Sequence, residues 1–429
     1  MVSIEIKAKQ KTKVRILLTG VILAAVIFAF FGVRWQIGNM LASLTQPSTP
    51  GSEDAARLAA GFSPRDPMAA WLLATKQKEK FGEDQSRLAV RMFEDVVRLS
   101  PYDFRMWIEL ARAYEQAEEL ERAEAAFRRA VDLAPEYTFP HWQLGNFYLR
   151  RNRAEEAFAE LRKTTEKSVA YREQVFSLAW DYFDKDTNRI EGLAADTPDV
   201  RATLASFYSA RGKSEDAVRL WNTLTDDEKQ RHDAIAREMA QNLHDRKFYR
   251  ASVEFARQTG IDAEAAAGSI TNGSFEKFIG PPDETLFGWR LLRNDGRVDL
   301  ALDPAVRSEG QRSLRVNFKA YSKPELYNVV QHVALEPGGK YRLTFMLRTE
   351  NLRTAGSPQI AITAGAENAL VGISPPFPTG TNDWQKVIVD FAVPPTADGV
   401  IVFTSRVNCG EGCPIAGTIW YDDFQITRL

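Results

Sequence analysis

The sequence predicts a multidomain chain of α and β: a single transmembrane helix, an all-α helical-repeat domain and an all-β sandwich. Three observations carry this. Residues 16–33 are an uncharged apolar run of 18 residues. From Asp54 to about Gly260 the apolar residues fall at helical spacing, and a set of them recurs every 34 residues. From Gly268 onward Ala and Glu give way to Gly, Pro, Thr and Val, and the apolar residues alternate with period two.

At 429 residues, 44% hydrophobic and 26% charged, the chain has ordinary globular composition, which excludes wholesale disorder and leaves room for two or three domains. The net charge of -2 is unevenly shared: +4 over residues 1–53, -5 over 54–267 and -1 over 268–429. The only basic excess is therefore N-terminal, which argues against nucleic-acid binding. Two Cys and four His exclude a multi-site zinc protein.

Residues 1–15 are a basic stub holding Lys7, Lys9, Lys11, Lys13 and Arg15, and residues 16–35 the anchor, closed by Arg34 and Trp35. At about 1.5 Å per residue the apolar run nearly spans a hydrocarbon core of roughly 30 Å. The positive flank stays in the cytoplasm and places the rest outside it. A cleaved signal peptide is the rival, but the run is long for one and no small-x-small site closes it. Residues 36–53, with Gln46-Pro47-Ser48-Thr49-Pro50-Gly51-Ser52, read as a flexible tether.

In the helical region, 54–265, one set is Trp107, Leu110, Ala111, Tyr114, Ala123, Phe127, Ala130 and Pro135. A shift of 34 gives His141, Leu144, Gly145, Tyr148, Ala157, Leu161 and Thr164, and another gives Val175, Leu178, Ala179 and Tyr182. Small residues let two antiparallel helices approach, aromatics fill the space left, and Pro135 stops the second helix. One hairpin cannot bury its face alone, so neighbours stack. This set resembles the tetratricopeptide repeat, which implies a superhelical scaffold that binds protein segments. A further copy, Leu204, Ala205, Tyr208, Ala217, Trp221 and Leu224, starts 26 residues after its predecessor. Residues 184–197 therefore depart from the pattern, as one very short second helix would. The hairpins at 67–100 and 232–260 are degenerate, as terminal repeats are. In such repeats the concave surface would carry Arg105 and Arg112 in one copy, Phe139, Trp142 and Asn146 in the next, and Phe176, Trp180 and Phe183 in the third. This is an aromatic groove with a basic edge suited to a protein partner; the alternative is that these aromatics pack between repeats.

In 268–429, Leu314, Val316 and Phe318 alternate with polar neighbours, as do Tyr341, Leu343, Phe345 and Leu347, and Val387, Val389, Phe391 and Val393. Such short strands between turn signals argue for a β-sandwich. The order Asn272-Gly273-Ser274-Phe275-Glu276, Gly288-Trp289, Gly310-Gln311-Arg312-Ser313, Asp383-Trp384 and Trp420-Tyr421-Asp422-Asp423 resembles the galactose-binding-like jelly roll of carbohydrate-binding modules. That resemblance implies a structural calcium held by Glu276 and Asp422, with Asp423 beside them; the alternative is carboxylates bonded to backbone with no metal. Alternation turns Asp422 inward with Phe424 and Ile426, and Asp423 outward. It also implies glycan stacking on aromatics, for which Tyr321, Tyr327 and Phe377, in or beside loops, are the candidates, Trp289 and Trp384 being core positions.

Cys409 and Cys413 are spaced to close a small loop as a disulfide in an oxidising compartment. No His stands at a ligand spacing to Cys or Asp, and G-x-S-x-G, H-E-x-x-H and P-loop motifs are absent. The expectation is a non-enzyme: a single-pass protein of a bacterial inner membrane, with its bulk periplasmic. Its repeats would hold a protein partner and its sandwich a glycan, in exopolysaccharide or envelope assembly or export. The rivals are a pure protein scaffold and an accessory glycan-processing enzyme.

Overall fold

A computed structural model describes residues 8–80, 82–193, 196–293, 295–410 and 412–429, with side chains from Val14 onward. Of the basic flank, Lys7 and the side chains of Lys9, Lys11 and Lys13 lie outside the described residues, as does Glu411 of the cysteine loop. The chain is multidomain α and β: an N-terminal helix, a helical repeat region and two antiparallel sheets. Its contacts divide into two compact units, 1–177 with 191–195, and 178–190 with 196–429.

The first unit opens on α1 (Ala8–Leu44), whose stretch Val14–Leu44 is long and apolar enough to cross a membrane. The expected tether at 36–53 is corrected here, because the helix runs on through Leu44. Its continuation is built to pack: Ala42 closes against Ala56 and Ala59 of α2 (Ser52–Phe62) and Ala69 and Leu72 of α3 (Pro67–Lys78), all buried. At Gly38 a Cβ would stand 2.2 Å from Ser63 Oγ, so only glycine admits this approach.

Next come α4 (Glu83–Leu99), α5 (Phe104–Gln116), α6 (Leu120–Leu133), α7 (Thr138–Arg150) and α8 (Ala154–Lys167); α9 (Val169–Tyr182) runs from the first unit into the second. The repeat positions do what their spacing demands. Ala111, Ala123, Phe127, Leu144, Tyr148 and Ala157 are buried in one cluster. A Cβ on Gly145 would meet Leu161 Cγ at 2.7 Å. Trp107 Nε1 donates to Pro101 O at 2.9 Å, and 34 residues on His141 Nε2 meets Pro135 O at the same distance. The turns share a device too. Glu118 and Asn152 adopt φ of 60° and 56°, and the next amide closes back on the first helix, Glu119 N to Tyr114 O and Arg153 N to Tyr148 O.

The second unit contains α10 (Thr187–Leu193) for its first part, α11 (Pro198–Ala210), α12 (Ser214–Trp221), α13 (Asp226–Arg231), α14 (Asp233–Asp245), α15 (Tyr249–Gln258) and the strands. At seven residues α10 is the very short helix expected at 184–197. Gly212 and Lys247 repeat the positive-φ turn.

The strands are β1 (Arg290–Leu291), β2 (Val298–Asp303), β3 (Ser313–Tyr321), β4 (Val329–Ala334), β5 (Lys340–Arg353), β6 (Pro358–Ala364), β7 (Leu370–Ile373), β8 (Gly380–Ala392), β9 (Gly399–Arg406) and β10 (Ile415–Arg428). They form two five-stranded antiparallel sheets, β1-β4-β9-β6-β7 and β2-β3-β10-β5-β8. Between them lies one core, with Phe275, Trp289, Phe345, Tyr421 and Phe424 at its aromatic centre. Trp289 is core, as expected; Trp384, on the edge strand β8, is only half-buried.

The compositional switch at Gly268 falls between the last helix, which ends at Gln258, and the first strand, which begins at Arg290, but it is not where the contacts divide. Tyr249 of α15, 2% exposed, stacks on His332 of β4 at 5.5 Å. A Cβ on Gly399 would stand 2.9 Å from that tyrosine ring. Arg250 N donates to Asp398 Oδ2 at 2.9 Å. Asp262, after α15, accepts from Leu286 N and Phe287 N, both at 2.8 Å. The last hairpin and the sandwich thus share buried contacts.

Candidate functional site

Residues 322–328 join β3 to β4 and frame a cleft of about 430 Å³. Two of the three aromatics expected to meet glycan line it. Tyr321 is the floor: it ends β3, is 1% exposed, and packs on Phe318 at 6.3 Å with Arg297 5.9 Å over its ring. Tyr327 is the wall, its ring 4.9 Å from Phe403 and 42% of the residue exposed. Burial pushes both phenols up from their usual pKa, so both remain neutral donors at physiological pH. Lys323 and Glu325 are exposed at the rim. Asn328, which no motif marks in the sequence, also lines the cleft. It is 5% exposed and its Oδ1 accepts no hydrogen bond from the described protein.

The cleft is held from behind by Arg406 of β9. This guanidinium is buried and donates to Lys323 O, Cys413 O, Gly356 O and Thr354 Oγ1 at 2.9–3.2 Å. Burial draws its pKa down. Its Nη2 also lies 3.2 Å from Cys413 Sγ, in the Cys409–Cys413 disulfide that the sequence led us to expect. The cleft loop, the β5–β6 turn and the disulfide loop are therefore tied to one cation.

Several expected site residues are placed elsewhere. Phe377 is core, 2% exposed, packed on Phe345 and Tyr421, because the prolines around it turn it inward. Tyr321 likewise offers no stacking face. Of the expected protein groove, Phe176, Trp180 and Phe183 are buried and belong to packing. Trp180 lies edge-on to Phe207 at 5.8 Å, and Arg189 caps Phe183 at 4.3 Å, within the part of the repeats that breaks the 34-residue period. Trp142 is half-buried with Tyr171 5.1 Å away, and Asn146 Nδ2 is bonded to Trp142 O. Phe139 is 37% exposed. The basic edge is internally paired. Arg105 grips Asp103, while Arg112 joins Glu109 at 2.6 Å and Gln143 at 3.0 Å; Lys78 meets the same Glu109 at 2.5 Å. These links run from one repeat to the next along the first helices.

Asp422 is buried and Asp423 half-exposed, as alternation requires. Asp422 Oδ2 accepts from Ser308 N at 2.9 Å and its Oδ1 from Asp423 N at 2.8 Å. Glu276 Oε1 accepts from Gln311 N at 2.7 Å. The two carboxylates clamp one loop, 304–312, at two points. Desolvation raises the Asp422 carboxyl above its ordinary pKa. Calcium takes about six to eight oxygens, yet both Asp422 oxygens are already on backbone amides. Among the described residues no three His, Cys, Asp or Glu side chains group so as to hold a metal. These residues do not fit a calcium site.

Comparison with known proteins agrees with the repeat. A model described as tetratricopeptide repeat matches residues 104–137, the copy that Trp107 to Pro135 define. No curated protein matches the chain. Among solved structures it is similar to MamA 41-end from Desulfovibrio magneticus RS-1, at 28% identity over 31% of this chain and 72% of that one, with a TM-score of 0.26. It is similar to another MamA crystal structure at 16% identity, over 38% and 87%, with a TM-score of 0.30. A CBM4 structure is similar at 17% identity, over 37% and 99%, with a TM-score of 0.29. The chain carries a tetratricopeptide repeat at residues 104–137, a kind of repeat that serves protein interaction, together with the two-sheet β domain.

Proposed function

We propose that this protein is a non-catalytic scaffold anchored by α1 in a bacterial inner membrane. The N-terminus is cytoplasmic and the bulk periplasmic. Its repeats hold a protein partner, and its sandwich holds a glycan in exopolysaccharide or envelope assembly or export. The observation that carries the glycan reading is the 430 Å³ cleft lined by the half-exposed ring of Tyr327, with Lys323, Glu325 and Asn328 beside it. A pyranose offers an apolar C–H face for the Tyr327 ring and hydroxyls for the charged groups of Lys323 and Glu325 at the rim. The partner reading rests on Phe139 and Trp142, since the deeper aromatics and the arginines are spent internally.

The test is co-sedimentation of the purified full chain with insoluble bacterial polysaccharides, followed by elution with defined oligosaccharides. Retention on at least one acidic or neutral polysaccharide is expected. No retention on any would leave a protein scaffold whose sandwich binds no sugar. Release of shortened sugars from the bound polymer would favour a glycan-processing enzyme.

A further inference from the structure

The end of α2 is fixed at a definite height on α1. Arg34 Nη2 donates to Gly61 O at 2.7 Å and Arg34 Nε to Phe62 O at 3.1 Å. Ser63 Oγ donates to Trp35 O at 2.7 Å, and Asn39 Nδ2 to Asp66 Oδ2 at 2.9 Å. With Ala42 against Ala56 and Ala59 at the other end, α2 runs back antiparallel to α1. Its C-terminal end therefore stands level with Arg34, the first charge after the apolar run.

From Ile37, one turn above that level, an apolar groove of about 580 Å³ follows one face of α1 down to Val26, past Val33 and Phe30. Phe62 closes its upper end and Arg34 is its one charged wall. At 1.5 Å per residue the groove extends about 16 Å along the helix, so its lower part lies at hydrocarbon depth wherever Arg34 sits among headgroups. Leu58 and Phe62, one turn apart on α2, are 56% and 39% exposed on a helix whose other face is buried.

We propose that the Gly61–Phe62 end of α2 is a second membrane contact. Phe62 sits at the acyl–headgroup boundary, Arg34 faces the lipid phosphates, and the groove beneath holds a phospholipid acyl chain. Lipid is favoured as the occupant because the groove is continuous with the surface that hydrocarbon must cover, and its walls offer no hydrogen-bonding group except Arg34. The inference rests on reading α1 as a retained span. Its consequence is that the first hairpin stands at a fixed height on the bilayer, not on a tether.

The native cysteines are disulfide-bonded, so one introduced thiol can carry an environment-sensitive fluorophore in the full chain. The chain is reconstituted in phosphatidylcholine–phosphatidylglycerol vesicles with nitroxides placed shallow or deep in the acyl chains. Gly61→Cys keeps Phe62 and adds a Cβ where nothing lies within 4 Å. Phe28→Cys reports the span, and Asp54→Cys the far end of α2. Expected are deep quenching at Phe28→Cys, shallow quenching with a blue-shifted emission at Gly61→Cys, and neither at Asp54→Cys. Quenching at Gly61→Cys no greater than at Asp54→Cys, with Phe28→Cys quenched, overturns this inference and leaves the anchor standing. An unquenched Phe28→Cys sinks the anchor and the inference together. Quenching at Gly61→Cys that rises on dilution in lipid assigns the groove to a second copy and overturns the lipid occupant.

Discussion

His244 Nε2 and His332 Nδ1 stand 2.7 Å apart, one ring on the last repeat hairpin and the other on strand β4. Their rings are 4.7 Å apart, and Tyr249 and Phe287 enclose them. Two rings sharing one hydrogen bond need one lone pair and one N–H between them, so the contact requires that they not both be charged. Asp245 Oδ1 lies 3.5 Å from His244 Nδ1, which makes no hydrogen bond within the described protein.

Burial, the neighbouring ring and Arg290 push His332 down to about 3, with Lys247 adding to it; burial and Arg290 also lower His244, against Asp245. Both folded-state pKa values lie below that of the unfolded chain. The contribution is therefore fully present above about pH 6.5 and is lost as pH falls, at up to about 1.4 kcal/mol per pH unit for each ring. The protection factors of amides in α14 and β4, taken relative to the intrinsic exchange rate at each pH, are expected to fall between pH 7 and 5, and His332→Phe to flatten that dependence. Equal slopes in the two proteins would contradict a role for this pair.

The positive-φ turns give a prediction of opposite signs. Glu118 is exposed and holds φ 60°, a conformation that glycine adopts without strain. Glu118→Gly is expected to stabilise by about 0.5–1 kcal/mol in denaturant titration, and Gly212→Ala, at φ 77°, to destabilise by about 1 kcal/mol.

Arg406 is expected to matter more than the disulfide beside it. The covalent loop closed by Cys409 and Cys413 is short, so removing both thiols should cost about 2 kcal/mol. Arg406→Ala leaves several buried acceptors without a donor and should cost about 3–5 kcal/mol, with loss of protection in the 322–328 loop. Hydrogen exchange on the two variants separates these effects.

Because Glu276 and Asp422 bond backbone amides, thermal unfolding of the chain is expected to be unchanged by a calcium chelator. Glu276→Gln, which keeps an acceptor, should cost less than Glu276→Ala. A melting temperature that rises with added calcium would restore the ion.

The regular parts of this chain were legible because they are local. The period of 34 marks Ala111, Gly145 and Tyr148, and alternation correctly turns Asp422 in and Asp423 out. What escaped depends on distant partners or irregular spacing. The proline-rich stretch after Leu44 obscured Ile37, Leu41 and Ala42, which carry the first helix past its apolar run. The shortened repeat buried Phe176, Trp180 and Phe183 where a regular one would leave them in a groove. Tyr321 and Phe377 read as loop residues because nothing local shows that Phe318 and Phe345 receive them. Asn328, Arg406 and the pair His244 and His332, 88 residues apart, belong to no motif at all.

The central claim is that the cleft beside Tyr327 receives a glycan. The most direct measurement is the affinity of the full chain for a polysaccharide that it retains, compared with Tyr327→Ala. The residue is 42% exposed and outside the main core cluster, so the fold should survive its truncation. Loss of a stacked ring predicts about tenfold or greater weakening, near 1.4 kcal/mol, with an unchanged melting temperature. Equal affinity in the two proteins would contradict the account.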